Sequence, residues 1–139
     1  MLRSRSDNTT PFIQLNTEGD LEELAASYVR QSDTNYLRTW ELAGASHIDE
    51  HEAVWEAEDA ALADMRRWLT QGVAPPHGNQ ILTNPFWFNT IFRDQYGNAL
   101  GGVRLPDIQA PTETYSAINV VEPETTTTTV AAAEKSSIP

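Results

Sequence analysis

The stretch from Tyr36 to His47 constrains the fold more than any other part of the chain. It begins as an apolar and aromatic run, passes through a turn of small residues and ends at a histidine. This order is typical of a strand that delivers a side chain to the rim of a sheet. A shorter apolar run, residues 11–15, precedes it and ends in the turn-forming cluster 16–20. The two runs predict neighbouring strands with polar residues at their carboxyl ends.

The segment between the two runs has the pattern of an amphipathic helix over residues 21–30. Its apolar residues share one stripe, and Asp20 is well placed as the N-cap, with Glu23 three residues further on. Strand, helix and strand joined by short connections predict a right-handed parallel crossover. A second helix is predicted over 53–71, with Gly72 as its stop.

The rest of the chain predicts a closing region and two polar ends. A β-prone run over 81–93, a turn signal at 94–98 and a return over 100–106 predict a β-hairpin-like region. The pair of Arg93 and Asp94, together with Arg104, could bind a substrate carboxylate, but a structural ion pair that pins this hairpin is the preferred interpretation. Residues 1–10 are expected to be a disordered lead and 116–139 a disordered Thr/Ala-rich tail, which leaves 11–115 as the folded part. The predicted fold class is α/β: two parallel strands, flanking helices and the closing region.

Composition argues against several functions. Twenty Asp and Glu against nine Lys and Arg give a formal charge of −11, which repels phosphate backbones and anionic lipid, so no nucleic-acid or membrane partner is expected. The absence of cysteine excludes disulfides and thiolate chemistry. No apolar run approaches the ~20 residues that span a bilayer. No strand-to-helix Gly-x-Gly-x-x-Gly is present either, and no cofactor is expected.

The two predicted strand ends bring a carboxylate and an imidazole to the same rim. In an open parallel sheet, functional groups gather at the carboxyl ends of the strands. A buried Asp20 there could accept the Nδ1–H of His47, fix its tautomer and stabilise the imidazolium during proton transfer. The plainer alternative makes Asp20 only a helix cap and His47 a surface residue.

A competing cluster could bind a metal ion. His47 and His51 are spaced to share a helix face, and Asp49, Glu50 and Glu52 could complete a divalent site. The cluster is not a His-Glu-x-x-His motif, and the same acids equally describe a solvated helix start. No metal site is therefore predicted. His77, in a loop after two prolines, is expected to be exposed.

Five segments follow one another in order between about residues 11 and 115: Thr17-Glu18-Gly19-Asp20-Leu21, Arg30-Gln31-Ser32-Asp33, Leu37 to Asp49 (LRTWELAGASHID), Trp68 to Pro76 (WLTQGVAPP) and Arg93 to Pro106 (RDQYGNALGGVRLP). Together they resemble a family of large α/β-hydrolase domain proteins of poorly defined substrate. The resemblance implies the C-terminal portion of an α/β-hydrolase: its last two strands with the helices around them.

The resemblance also implies roles for particular residues. By position, His47 would be the histidine of a serine-hydrolase triad and Asp20 its acid, with Glu18 as second choice. The chain order in that fold is nucleophile, acid, histidine. No Gly-x-Ser-x-Gly occurs in the 139 residues, so the isolated chain is expected to be inactive. A small ester or amide would be the substrate of the complete enzyme.

The alternative to an enzyme portion is a noncatalytic acidic interaction fragment that keeps the lobe without its chemistry. Both interpretations leave one edge of a two-stranded sheet open and apolar surface uncovered. We therefore expect self-association or pairing with the missing N-terminal portion.

Overall fold

The computed structural model describes residues 5, 7–47, 52–86, 90–104, 109–110, 113–114 and 136–137. Two parallel strands, β1 (Phe12–Thr17) and β2 (Leu37–Leu42), form its centre and are paired along their whole length. A short helix, α1 (Glu18–Glu22), and a 3₁₀ turn (Ala26–Val29) connect them. The parallel crossover predicted from the sequence is confirmed, although β1 ends at residue 17 rather than 15.

The continuous helix predicted over 21–30 is wrong. The chain leaves the helix after α1, and Ala25 adopts a left-handed conformation with φ 56° before the 3₁₀ turn begins. Leu24 and Tyr28, which belong to the predicted apolar stripe, are exposed. Tertiary contacts override helix propensity here, because the break allows Arg30 to reach the buried Glu41 on β2, 2.6 Å away.

The second helix, α2 (Glu52–Gln71), follows the prediction closely. Gly72 ends it in a left-handed conformation with φ 69°, and its N–H donates to Trp68 O at 3.0 Å. This is the glycine stop that the sequence predicts. No helix in the part of the chain that the structure describes is long and apolar enough to cross a membrane.

The core lies on both faces of β2, all six residues of which are buried. On one face, Leu42 and Ala45 pack with Val54 and Ala57 of α2. The opposite face belongs to a second cluster, which comprises Leu21, Ala26, Ala43, Ile81, Ile91 and Ala99. β2 is thus the buried centre of a mixed α/β arrangement, with α2 on one side and the closing region on the other.

The closing region is hairpin-like, but it is not the pair of strands that the sequence predicts. Antiparallel bridges join Thr83 to Ile91 and Arg93 to Ala99, so the chain already reverses between 84 and 90. The continuous strand predicted over 81–93 is therefore wrong, and residues 87–89 lie outside the described residues. Further on, Val103 forms a parallel bridge to Leu42 and extends the sheet beyond β2.

Close backbone approach explains the glycine pair in the closing region. A Cβ on Gly101 would lie 2.3 Å from Gln80 O, and one on Gly102 would lie 2.7 Å from Glu41 O. Both glycines also have positive φ. Any side chain at either position would collide with neighbouring backbone, so this part of the closing region requires glycine.

Little of the two polar ends is described. Near the start, Arg5 and Asp7 form an ion pair at 2.6 Å. Towards the end, β3 (Glu113–Thr114) pairs antiparallel with β4 (Ser136–Ser137). The rest of 115–139 lies outside the described residues, so the disordered lead and tail and the boundaries at 10 and 115 stay predictions.

Candidate functional site

The candidate site lies where β1 and β2 end side by side. Thr17 and Leu42 are the last paired residues of the two strands. From there, β1 continues directly into α1, and β2 continues into a turn over residues 43–47. Because the strands are parallel, these two continuations meet at one rim of the sheet.

Three consecutive residues of α1 contact three positions of the turn after β2. The contacts follow the same order along both segments, so the first turn of α1 lies alongside the residues that lead to the histidine. They are Gly44 N–H to Glu18 Oε2 at 2.6 Å, Gly19 N–H to Ala45 O at 3.1 Å and His47 Nδ1 to Asp20 Oδ1 at 2.7 Å.

Asp20 is held by Thr17 as well as by His47. Its Oδ2 accepts hydrogen bonds from the Thr17 N–H at 2.7 Å and the Thr17 hydroxyl at 3.0 Å, which leaves Oδ1 for the imidazole. Thr17 is the N-cap of α1, and Asp20 is the third helical residue of the resulting capping box. The prediction that Asp20 itself caps the helix is wrong, because β1 runs further than expected and places the cap at its last residue.

Asp20 orients the His47 ring on one side, and the rest of the ring is exposed to solvent. Its side chain is 53% exposed, whereas that of Asp20 is only 10% exposed. Because an ionised carboxylate can only accept hydrogen bonds, it selects the form of His47 with a proton on Nδ1, and in the neutral imidazole this leaves the Nε2 lone pair available. The arrangement can therefore take up a proton at Nε2 while the buried carboxylate stabilises the resulting positive charge.

Glu18 contributes to the same rim through different partners. Its side chain is fully buried, Oε1 accepts from Arg93 at 2.5 Å, and Oε2 accepts from Gly44 N–H. Of the two acids that the sequence nominates for the histidine, Asp20 is the one in contact with it, and Glu18 is bound to an arginine of the closing region.

Gly19 permits the close approach of the two segments. A Cβ at this position would lie 2.7 Å from the His47 backbone nitrogen and 3.2 Å from the Ser46 carbonyl carbon. Any larger residue would push the histidine-bearing turn away from α1. Sequence reasoning missed the role of this glycine; its place directly before Asp20 was the available signal.

Two carboxyl groups near the rim have shifted pKa values. Burial raises the pKa of Glu22, an effect that nearby Arg93 partly offsets and that Glu18 reinforces. For Asp94, burial acts to raise the pKa, but the hydrogen bond from Arg104 and those from backbone N–H groups outweigh it and leave the pKa below its usual value. The Arg104–Asp94 ion pair at 2.7 Å pins the closing region as predicted, while Arg93 pairs with Glu18 instead.

The other candidates from the sequence lie elsewhere. Positions 48–51 of the competing metal cluster lie outside the described residues, and among those that are described no group of three or more His, Asp or Glu could hold a metal ion. His77 is exposed, as predicted, and its Nδ1 lies 2.9 Å from Asp33 Oδ2. This second histidine–carboxylate pair was not foreseen.

The fold and the rim together define an α/β protein with an imidazole oriented by a carboxylate at the carboxyl ends of parallel strands. A family model described as alpha/beta hydrolase domain matches residues 2–59 and 53–136. The chain therefore belongs to the alpha/beta hydrolase domain family, as its resemblance indicated. No curated protein and no solved structure matches it.

Proposed function

We propose that this chain supplies the acid and the histidine of a serine-type hydrolase that cleaves small esters or amides. The observation that carries the proposal is the 2.7 Å contact between His47 Nδ1 and the buried Asp20 carboxylate, with the rest of the imidazole open to solvent. Membership of the alpha/beta hydrolase domain family supports the reaction class. Asp20 is the acid of this proposal, because Glu18 is bound to Arg93 and Gly44.

In the proposed reaction His47 transfers protons and Asp20 stabilises the charge that forms on the imidazole. His47 Nε2 takes the proton of a serine hydroxyl as the serine oxygen attacks the substrate carbonyl, and it then protonates the leaving alcohol or amine. In the second half of the cycle the same nitrogen activates a water that releases the acid product and regenerates the serine. Asp20 stays ionised throughout and stabilises the imidazolium that forms in each half.

The nucleophile must come from outside this sequence, because no Gly-x-Ser-x-Gly is present. We propose that the nucleophile-bearing portion binds at the free edge of β1. Among the described residues β1 has β2 as its only strand neighbour. An open apolar trough of about 360 Å³ lies beside it, lined by Ile13, Leu15, Glu58, Ala61, Leu62 and Met65. A strand added to β1 would cover the trough and bring its own carboxyl end to the rim of His47.

A second candidate function is a noncatalytic acidic interaction fragment. The missing nucleophile motif and the formal charge of −11 favour it. In this case the β1 edge and the trough would bind a partner or a second copy, and the pair of Asp20 and His47 would have only a structural role.

Complementation separates the two functions. The chain is incubated with an activated short-chain ester, alone and together with the nucleophile-bearing N-terminal portion of a related hydrolase. We expect no turnover by the chain alone and turnover in the mixture. His47→Ala should lower that turnover by about 10⁴-fold, because the serine then lacks its base.

His77→Ala is the matched control, since His77 also contacts an aspartate but lies away from the rim. It should change the turnover by less than about twofold. Binding of the N-terminal portion without turnover would reject the hydrolase proposal in favour of the interaction fragment. Equal losses in the two variants would also reject it.

A further inference from the structure

We infer that Glu18 is a positioning residue that keeps the histidine-bearing turn in register with Asp20. The inference rests on the proposed function, since it assigns a role within the same site. In this role the Glu18 carboxylate binds the backbone of the turn, and the turn then places the imidazole on Oδ1 of Asp20.

The burial of Glu18 is the first reason for this role. Its side chain is 0% exposed, and a charge removed from water is tolerated only when it is paired and hydrogen-bonded. Its two oxygens have separate partners: Arg93 on Oε1 and the Gly44 N–H on Oε2. The arginine compensates the charge, so the other oxygen is available to hold a backbone group of the turn.

The geometry of the turn is the second reason. Gly44 has a φ of 76°, a left-handed conformation that turns the chain back towards α1. Its N–H is bound by Glu18, while the residues on either side are held by Val103 and Gly19. Without Glu18, the middle of the turn would lose its hydrogen-bond acceptor in a buried position.

The exposure of His47 is the third reason. Its side chain is 53% exposed, so side-chain packing alone does not fix the ring. The ring position therefore depends on the backbone that carries it and on the contact with Asp20. A small displacement of the turn would lengthen that contact and free the imidazole to change its tautomer.

The test is ring ¹⁵N NMR of the whole chain carrying Glu18→Gln, at a pH where the imidazole is neutral. Glutamine keeps the shape of Glu18, but an NH2 group replaces one of its two oxygens. Because Arg93 and Gly44 bind separate oxygens of Glu18, one of them would face a donor instead of an acceptor. We expect the fraction of His47 in the Nδ1–H tautomer to fall by about half or more. His47→Ala assigns the signal, and the ring signals of His77 serve as an internal reference that should not move.

Glu41→Gln is the matched control. Glu41 is also 0% exposed, is bound by Arg30 at 2.6 Å and accepts the Ile81 N–H at 2.7 Å. Its side chain thus has the same kind of partners as that of Glu18. It lies on β2, however, and its hydrogen bonds within the described part of the chain go to Arg30 and Ile81 and not to the turn. The variant should lose a similar amount of stability and leave the His47 tautomer unchanged.

Glu18→Asp provides a second variant in case Glu18→Gln does not fold. It keeps the charge opposite Arg93 but is too short to reach both partners, so a smaller loss of the Nδ1–H tautomer is expected. An unchanged tautomer in the folded Glu18 variants would overturn the inference, and so would an equal loss in Glu41→Gln. The readout needs no turnover, so a failure of the proposed hydrolysis would be detected separately by the complementation assay.

Discussion

Two histidine–aspartate pairs of nearly the same geometry lie in the part of the chain that the structure describes. His47 Nδ1 lies 2.7 Å from Asp20, and His77 Nδ1 lies 2.9 Å from Asp33. Both aspartate side chains are mostly buried, at 10% and 12% exposure, and both imidazoles are largely open. In each pair the carboxylate also accepts a backbone N–H, from Thr17 in the first and from Thr39 in the second.

The pairs differ in where the fold places them. His47 and Asp20 follow the carboxyl ends of two neighbouring parallel strands, the usual location of functional groups in such sheets. Asp33 instead binds the Thr39 N–H along the side of β2, and His77 belongs to the loop after α2. Arg38 and Trp40 hold that loop through the carbonyl oxygens of two prolines.

A short imidazole–carboxylate distance does not by itself define a reactive site. The second pair has the distance but serves to fasten a loop to the sheet. What distinguishes the first pair is its place at the strand ends and the ordered contacts that α1 makes with the histidine-bearing turn. Matched substitutions at the two pairs test this distinction.

Replacing each aspartate with asparagine should affect kcat very differently in the two pairs. In the complemented enzyme, Asp20→Asn should lower kcat by about 10³–10⁴-fold, because the amide neither stabilises the imidazolium nor fixes the tautomer. Asp33→Asn should leave kcat within about twofold. Steady-state kinetics on the activated ester measures both, and a comparable loss in the two variants would remove the distinction between the pairs.

Alanine substitutions of Gly19 and Gly78, the glycines next to the two pairs, should distinguish effects on stability from effects on turnover. A Cβ on Gly78 would lie 2.1 Å from Thr39 O, so Gly78→Ala should cost on the order of 3 kcal/mol of unfolding free energy. A Cβ on Gly19 would lie 2.7 Å from the His47 backbone nitrogen, so Gly19→Ala should cost about 1–2 kcal/mol of unfolding free energy. It should lower turnover more than Gly78→Ala does, because the turn moves away from Asp20. Urea unfolding and ester turnover provide the two measurements.

If Gly19→Ala retained full turnover in the complemented enzyme, the close approach of α1 and the turn would not matter to the site. If Gly78→Ala instead lost turnover while keeping its stability, the pair at Asp33 and not the pair at Asp20 would be linked to the chemistry.

Glu22 gives the rim a pH dependence. Burial raises its pKa in the folded chain, so between the unfolded and folded pKa values the folded state binds more protons. The stability from this group is therefore full below the unfolded pKa and is lost as the pH rises through the folded pKa. Glu22→Gln should remove this dependence and raise the unfolding free energy at neutral pH by less than about 1 kcal/mol.

Urea unfolding across a pH series tests this prediction, with Glu56→Gln as the control because Glu56 is an exposed carboxylate of α2 that has no part in the shift of the Glu22 pKa. The control should retain the pH dependence of the parent chain. A Glu22→Gln chain that is less stable than the parent at neutral pH would show that its contact with Arg93, at 3.6 Å, outweighs the cost of burial.

Much of the fold could be predicted because its signals are local. α2 and its stop at Gly72 follow from an apolar period and a left-handed glycine, and both depend on neighbours a few residues apart. The helix predicted over 21–30 was wrong for the opposite reason. The helix breaks at Ala25, and this break accompanies the contact between Arg30 and Glu41. That contact joins residues far apart in the sequence, so local sequence patterns do not predict it.

The candidate site likewise has features that the sequence predicts and features that only the tertiary structure reveals. The sequence by itself determined that Asp20 and His47 follow two strands of a parallel crossover, because strand–helix–strand spacing places both at one rim. Only the tertiary structure decided that Asp20 and not Glu18 contacts the histidine, and that Arg93 compensates the Glu18 charge from 75 residues away. The physical reason is that spacing limits which strand ends meet, whereas burial and close backbone approach decide which atoms touch.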